Sequence, residues 1–150
     1  MTINEFIKLW DAYPNKKNLS GEEALKKMYQ DGSALQYVSE QTPDICRVAV
    51  NQNPYALLFV KNQTPDICLA AVRKSGYVLK FVREQTPEIC LAAVKESGLA
   101  LKYVREQTLE ICIEAVKESV YAMQYVSEEV IKQCAAEDGD RKLGFIRWLE

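Results

Sequence analysis

Five cysteines stand at 46, 68, 90, 112 and 134, each 22 residues from the next, and they offer this chain its widest range of chemistry. A thiolate can attack an electrophile, hold a soft metal or close a disulfide. The spacing argues against all three. Metal sites draw on short motifs such as Cys-x-x-Cys and on histidine, and the chain has no histidine. Without histidine there is also no Ser-His-Asp or Cys-His pair to activate a nucleophile. Neighbouring stacked helices lie about 8–10 Å apart, beyond the roughly 7 Å Cα separation that a disulfide bridges. The cysteine series therefore reads as packing, a small apolar side chain at one recurring position.

Carboxylates give no better case for catalysis. Glu96 and Glu118 fall one to a repeat on a wet face, and no Gly-rich phosphate loop is present. Glu137-Asp138-Gly139-Asp140 lacks the ligand spacing and closing Glu of an EF-hand, so it reads as a solvated turn. The expectation is a non-enzymatic protein with no cofactor, no metal and no small-molecule substrate.

A cationic series is the surface feature with some force. Lys80 and Arg83 lie one helical turn apart, Lys102 and Arg105 repeat them 22 residues on, and Lys61 adds a further member. Tyr77 and Tyr103 interleave with them, and tyrosine beside Lys or Arg can grip a peptide or stack on a base. Residues 61–106 carry a net charge of +3 and residues 107–140 a net of −6. Lys61, Lys80, Arg83, Lys102, Arg105, Tyr77 and Tyr103 are the candidate binding residues. The plainer reading is that these cations solubilise exposed faces. Arg73, Lys95 and Lys117, at the end of the first helix of each unit, suit the negative end of its dipole.

Positioning these residues is the work of an internal repeat. Residues 63–84 and 85–106 agree at 16 of 22 positions, and 41–62 and 107–128 are clear relatives. The frame extends back to 19–40 and, degenerate, forward to 129–150. Each unit reads as two short helices. Thr42, Thr64 and Thr86 precede Pro43, Pro65 and Pro87, an N-cap followed by proline at the first helical position. Asp44, Asp66, Glu88 and Glu110 meet the positive end of the dipole. Ser-Gly at 75–76 and 97–98, like Asp31-Gly32, predicts a glycine C-terminal stop; Asn53-Pro54 breaks the helix by removing a donor. In the unit 107–128, Leu109 replaces proline and Val120 replaces glycine, so the turn is free to tighten or the two helices to merge in part.

At 100° per residue, Ile67, Cys68, Leu69, Ala71 and Val72 share one apolar arc, and Tyr77, Val78, Leu79, Phe81 and Val82 cover more than half of the second helix. Arcs that wide require neighbours on two sides, which a stack of repeats supplies. Glu23, Lys26 and Lys27 replace apolar residues in the first unit, wetting one face. Residues 1–18, with Phe6, Ile7, Leu9 and Trp10, read as an N-terminal cap; Leu143, Phe145, Ile146, Trp148 and Leu149 read as a closing helix. The predicted fold is all-α: one domain, a solenoid of short helical hairpins with both ends capped.

The string from Cys90 to Val104, with its Cys, Ala-Val, Gly, Leu and Tyr-Val spacing, resembles the repeats of the family called domain of unknown function 4116. The likeness covers 41–128 well and the flanking units weakly. It implies no particular activity; such repeats also look like those of effector-type proteins of intracellular bacteria.

Bulk properties narrow the partner. A net charge of −2 gives no global pull toward nucleic acid or anionic membrane. The N-terminal residues lack a signal-peptide apolar core, and no apolar run is long enough to span a bilayer. Five thiols without a secretion signal suit a reducing, cytoplasmic setting, the cell's own or a host's. The sequence thus points to a protein–protein interaction module, an effector or inhibitor that docks a target through its extended face. The alternative is a nucleic-acid or nucleoprotein binder using the Lys/Arg series.

Overall fold

Threonine at the head of each unit does what its chemistry requires. In the computed structural model, which describes residues 21–137, Thr42, Thr86 and Thr108 take extended backbone, and their side chains accept from the amides of Ile45, Ile89 and Ile111. Thr64 does the same for Ile67. An N–H that the helix cannot satisfy is thereby paired. The readings placed on residues 1–18 and 138–150 lie outside the described residues.

Six α-helices alternate with five short 3-10 helices among the described residues. They run α1 (Gly21–Gln30), η1 (Gly32–Tyr37), α2 (Pro43–Gln52), η2 (Pro54–Phe59), α3 (Pro65–Val72), η3 (Gly76–Phe81), α4 (Pro87–Glu96), η4 (Gly98–Tyr103), α5 (Leu109–Glu118), η5 (Val120–Tyr125) and α6 (Glu128–Glu137). No strand occurs among the described residues. The fold is an all-α repeat solenoid with a 22-residue period. The chain divides into two compact units, residues 1–71 and 72–150, the boundary falling at the end of α3.

The second helix of each repeat is 3-10, not α. Six 3-10 residues rise about 12 Å, against about 15 Å for ten α residues, so the shorter segment nearly matches its partner's length. The period of three also sets the faces. In η3, Gly76 and Leu79 share a buried row, whereas Tyr77 and Lys80 form the outward row. The 3-10 segments end at Phe81 and Tyr103, short of the Gln-Thr-Pro that the sequence pattern gave as their limit.

Glycine 32, 76 and 98 work differently from the expected left-handed C-cap. None of them has positive φ. The α-helices end on extended residues, with Ser97 at φ −148° and Ser119 at φ −145°. The glycines are needed because the next layer approaches so closely. A Cβ on Gly32 would overlap the Ala49 carbonyl oxygen, and one on Gly76 or Gly98 would overlap that of Ala93 or Ala115. Val120 occupies the equivalent place in the last repeat and is 49% exposed. The extended Ser119 keeps α5 and η5 separate, so the two helices do not merge.

In the first unit, Ala49, Val50, Ala56, Leu57 and Val60 are fully buried; in the second, Val78, Leu79, Ala93, Val94, Ala100 and Leu101 are. Glu23 and Lys26 of α1 are exposed while Ala24 and Met28 face inward, as a terminal layer with one wetted side requires.

One glutamine per repeat ties the layers together. In the second unit, the Gln85 amide Nε2 donates to Leu79 O at 3.2 Å and to Tyr103 O at 2.9 Å. Its Oε1 accepts from Arg105 N at 3.0 Å. Gln107 repeats the pattern with Leu101 O, Tyr125 O and Ser127 N. Gln41 does so in the first unit with Leu35 O, Phe59 O and Lys61 N. The leucine carbonyl already accepts from the C-cap valine N–H; the final carbonyl of the 3-10 helix in the next layer has no such partner in its own helix, and this side chain pairs it while joining two layers.

Candidate functional site

Outward rows of the 3-10 helices carry the sequence-predicted binding residues, and in the second unit the structure brings four of them together. Lys102 Nζ lies 4.8 Å from the Tyr103 ring centre and 5.7 Å from that of Tyr77. Lys80 Nζ lies 4.8 Å from Phe81 and 6.0 Å from Tyr103. The Tyr77 and Tyr103 rings meet edge to face, 6.4 Å apart at 78°. Ammonium groups held over aromatic faces are attracted by the ring quadrupole. Interaction with the Tyr103 hydroxyl raises the Lys102 pKa, opposed by desolvation and assisted by Tyr125 and Tyr77.

The remaining cations sit differently. Arg105 reaches back one repeat: its guanidinium donates to Arg83 O at 2.7 Å and Val82 O at 3.0 Å. Lys61 does the same in the first unit, donating to Ser39 O at 2.8 Å. Both bind carbonyls at the end of the preceding 3-10 helix, so they fasten layers as well as carrying charge. Arg83 is exposed at the register shared with Arg105. The helix-end cation Lys117 pairs with Glu114 at 2.7 Å, and that hydrogen bond first, with the Lys117 and Lys95 charges, holds the Glu114 carboxyl below its usual range.

Charge is sorted between the two sides of the second unit. Its 3-10 helices, 76–81, 98–103 and 120–125, contain no Asp or Glu, and their charges are Lys80 and Lys102. Carboxylates lie instead on the α-helices and connecting turns, Glu118 reaching from the end of α5 to accept from Gly98 N at the start of η4. Tyr121 adds a ring 73% exposed. The sequence reading missed this sorting because it summed charge along the chain, whereas the 3-10 helices concentrate it by face. In the first unit, η1 and η2 have no charged residue, and Tyr37, Tyr55 and Leu58 are exposed there.

The cysteines take the packing role. Cys46, Cys68, Cys90 and Cys112 are buried, each with Sγ 3.5–3.8 Å from Oε1 of the ladder glutamine in its repeat. Burial pushes the thiols of Cys46 and Cys90 up, and burial with the nearby Cys134 pushes Cys112 up to about 11. Thiols so placed stay protonated and unreactive at neutral pH. Among the described residues no group of His, Cys, Asp or Glu is placed to hold a metal. Because a raised thiol pKa means the folded state holds its proton more tightly, Cys112 stabilises the fold below the unfolded value of 9.0. That contribution should be lost as pH rises from about 9 through about 11, and Cys112→Ala should flatten this segment of a urea-midpoint profile against pH.

A second feature lies at the last described helix. Helix α6 starts at Glu128, three residues earlier than the repeat frame dictates, and Glu129-Val130-Ile131 stand where the frame would place Gln-Thr-Pro. Val116 and Val126 are consequently half-buried, whereas their counterparts Val94 and Val104 are buried. An apolar cleft of about 300 Å³ remains, lined by Leu109, Ile113, Val116, Val126 and Val130 among others.

Among the described residues, no helix is long and apolar enough to cross a membrane. No curated protein sequence and no solved structure matches the chain. Residues 86–131, from the N-cap of α4 into α6, match the family described as Domain of unknown function (DUF4116).

Proposed function

We propose that this protein is a non-enzymatic interaction module that docks a target protein, as an effector or inhibitor would, through the 3-10 face of its second unit. The observation that carries the reading is the acid-free row of Tyr77, Lys80, Lys102, Tyr103 and Tyr121. Protein interfaces favour tyrosine and other aromatics in their centres and exclude Asp and Glu. Rigid rings contribute contact area at small entropic cost, and the most sensitive positions of interfaces are enriched in tyrosine. The seven candidate residues divide under this reading: Lys80, Lys102, Tyr77 and Tyr103 contact the partner, with Arg83 at the margin. Lys61 and Arg105 serve chiefly to hold layers in register. Buried, protonated cysteines are consistent with action in a reducing cytoplasm, the cell's own or a host's.

Two outward ammonium groups offer few phosphate contacts, whereas non-specific nucleic-acid binding gains strength in proportion to the phosphates neutralised. This favours the protein reading over the nucleic-acid one. Placing a photo-crosslinking phenylalanine at Tyr121 tests it, with the same group at the exposed Glu110 of α5 as control. A discrete protein adduct from position 121 in native lysate, unchanged by nuclease and absent from position 110, is the expected result. An adduct that nuclease removes would transfer the face to nucleic acid.

A further inference from the structure

Lys80 and Lys102 share one ring. Both ammonium groups lie within 6.0 Å of the Tyr103 centre, so no more than their two ring distances together can separate them. They come from successive repeats, and the 3-10 helices around them contain no carboxylate. Tyr103, Tyr125 and Tyr77 all act on Lys102. Protein surfaces commonly intersperse both signs of charge. Here two like charges are instead gathered over a shared aromatic floor, and an anion arriving above Tyr103 would relieve their mutual repulsion.

Resting on the docking reading above, we propose that the Lys80–Tyr103–Lys102 group selects an acidic segment of the partner protein, placing one carboxylate against each ammonium. Aliphatic stems of Glu side chains, or apolar residues between them, would lie on the Tyr77, Phe81 and Tyr103 rings. The aromatic floor gives the segment apolar contact, and the paired ammoniums give it sign selectivity. Carboxylates on a peptide suit this better than a nucleic-acid backbone, because the charge is confined to two neighbouring points and does not continue along the face.

The test is an NMR titration of the full chain, following the Tyr103 ring and the Lys80 and Lys102 side chains. Three probes are added separately: a short peptide of alternating Glu and Leu, the same peptide with Gln for Glu, and oligo-deoxythymidine. The Glu peptide should move these signals and the Gln peptide should not. The K80E/K102E variant should bind the Glu peptide at least about tenfold more weakly, from the loss of two exposed charge pairs and their replacement by repulsion. Its far-UV circular dichroism should match the parent, and the milder K80Q/K102Q variant should fall between the two. Equal response to the Glu and Gln peptides would overturn the acidic selection while leaving an apolar docking face. No response to either peptide would also overturn it, with the Tyr121 crosslink still deciding the docking reading. A stronger response to oligo-deoxythymidine would overturn both.

Discussion

Gln85→Leu should destabilise the protein by about 2–3 kcal/mol. Leucine keeps the volume but removes both ends of the amide. Leu79 O and Tyr103 O lose the Nε2 donor, and Arg105 N loses its acceptor. Tyr103 O is the group left orphaned, at a cost of about 1–3 kcal/mol, because Leu79 O keeps the Val82 N–H and the exposed Arg105 N can turn to water. Gln85→Glu should be nearly as damaging, since a carboxylate would face two carbonyl oxygens where the amide now donates. Urea unfolding followed by circular dichroism measures both. A midpoint within error of the parent for either variant would show that the glutamine ladder does not hold the layers.

Gly98→Ala is expected to cost about 3 kcal/mol, the upper part of the range for overpacking. A Cβ there would overlap the Ala115 carbonyl oxygen and come within 2.9 Å of Ser119 N, both backbone atoms of the following helix that cannot swing aside. The strain has to be relieved by separating two layers, which also stretches the Gly98 N to Glu118 carboxylate hydrogen bond of 2.7 Å. For a chain of this size, about 3 kcal/mol corresponds to a drop of roughly 6–12 °C in Tm. Val120→Ala, which trims the side chain at the equivalent register and adds no atom, should be nearly silent by comparison, because that residue is 49% exposed. If both variants melted alike, close approach would not be the reason for glycine.

Much of this architecture was legible in the residues. The 22-residue frame follows from the cysteine spacing, the helix starts from Thr-Pro, and the buried positions from the apolar arcs. What escaped had a physical cause in each case. The 3-10 character of the second helix is hidden because an apolar run of six fits either period, and only the length of the layer decides. Gly76 and Gly98 were assigned to a left-handed cap, the commonest use of a glycine after a helix, whereas here the constraint comes from a carbonyl 17 residues ahead. The ladder glutamine stood in plain view at 41, 63, 85 and 107, yet no local rule assigns a role to Gln before an N-cap. Its repetition with the cysteine was the available signal.

The cationic series shows the same division. Sequence spacing placed Lys80 with Arg83 and Lys102 with Arg105 as equals. Three-dimensional contact distinguishes them, because Arg105 turns back onto Arg83 O and Val82 O while Lys102 lies across Tyr77 and Tyr103. An i, i+3 pair on an α-helix would share a face; here Lys102 belongs to the 3-10 segment and Arg105 to the turn after it.

Whether the side chain between Ser and the 3-10 helix is hydrogen or isopropyl also governs how such a chain can grow. Gly98 leaves a backbone surface onto which another copy of the unit can settle, so a tandem duplication of residues 85–106 would find a ready seat. A copy seated on Val120 would instead have to clear an isopropyl group that one seated on Gly98 does not meet.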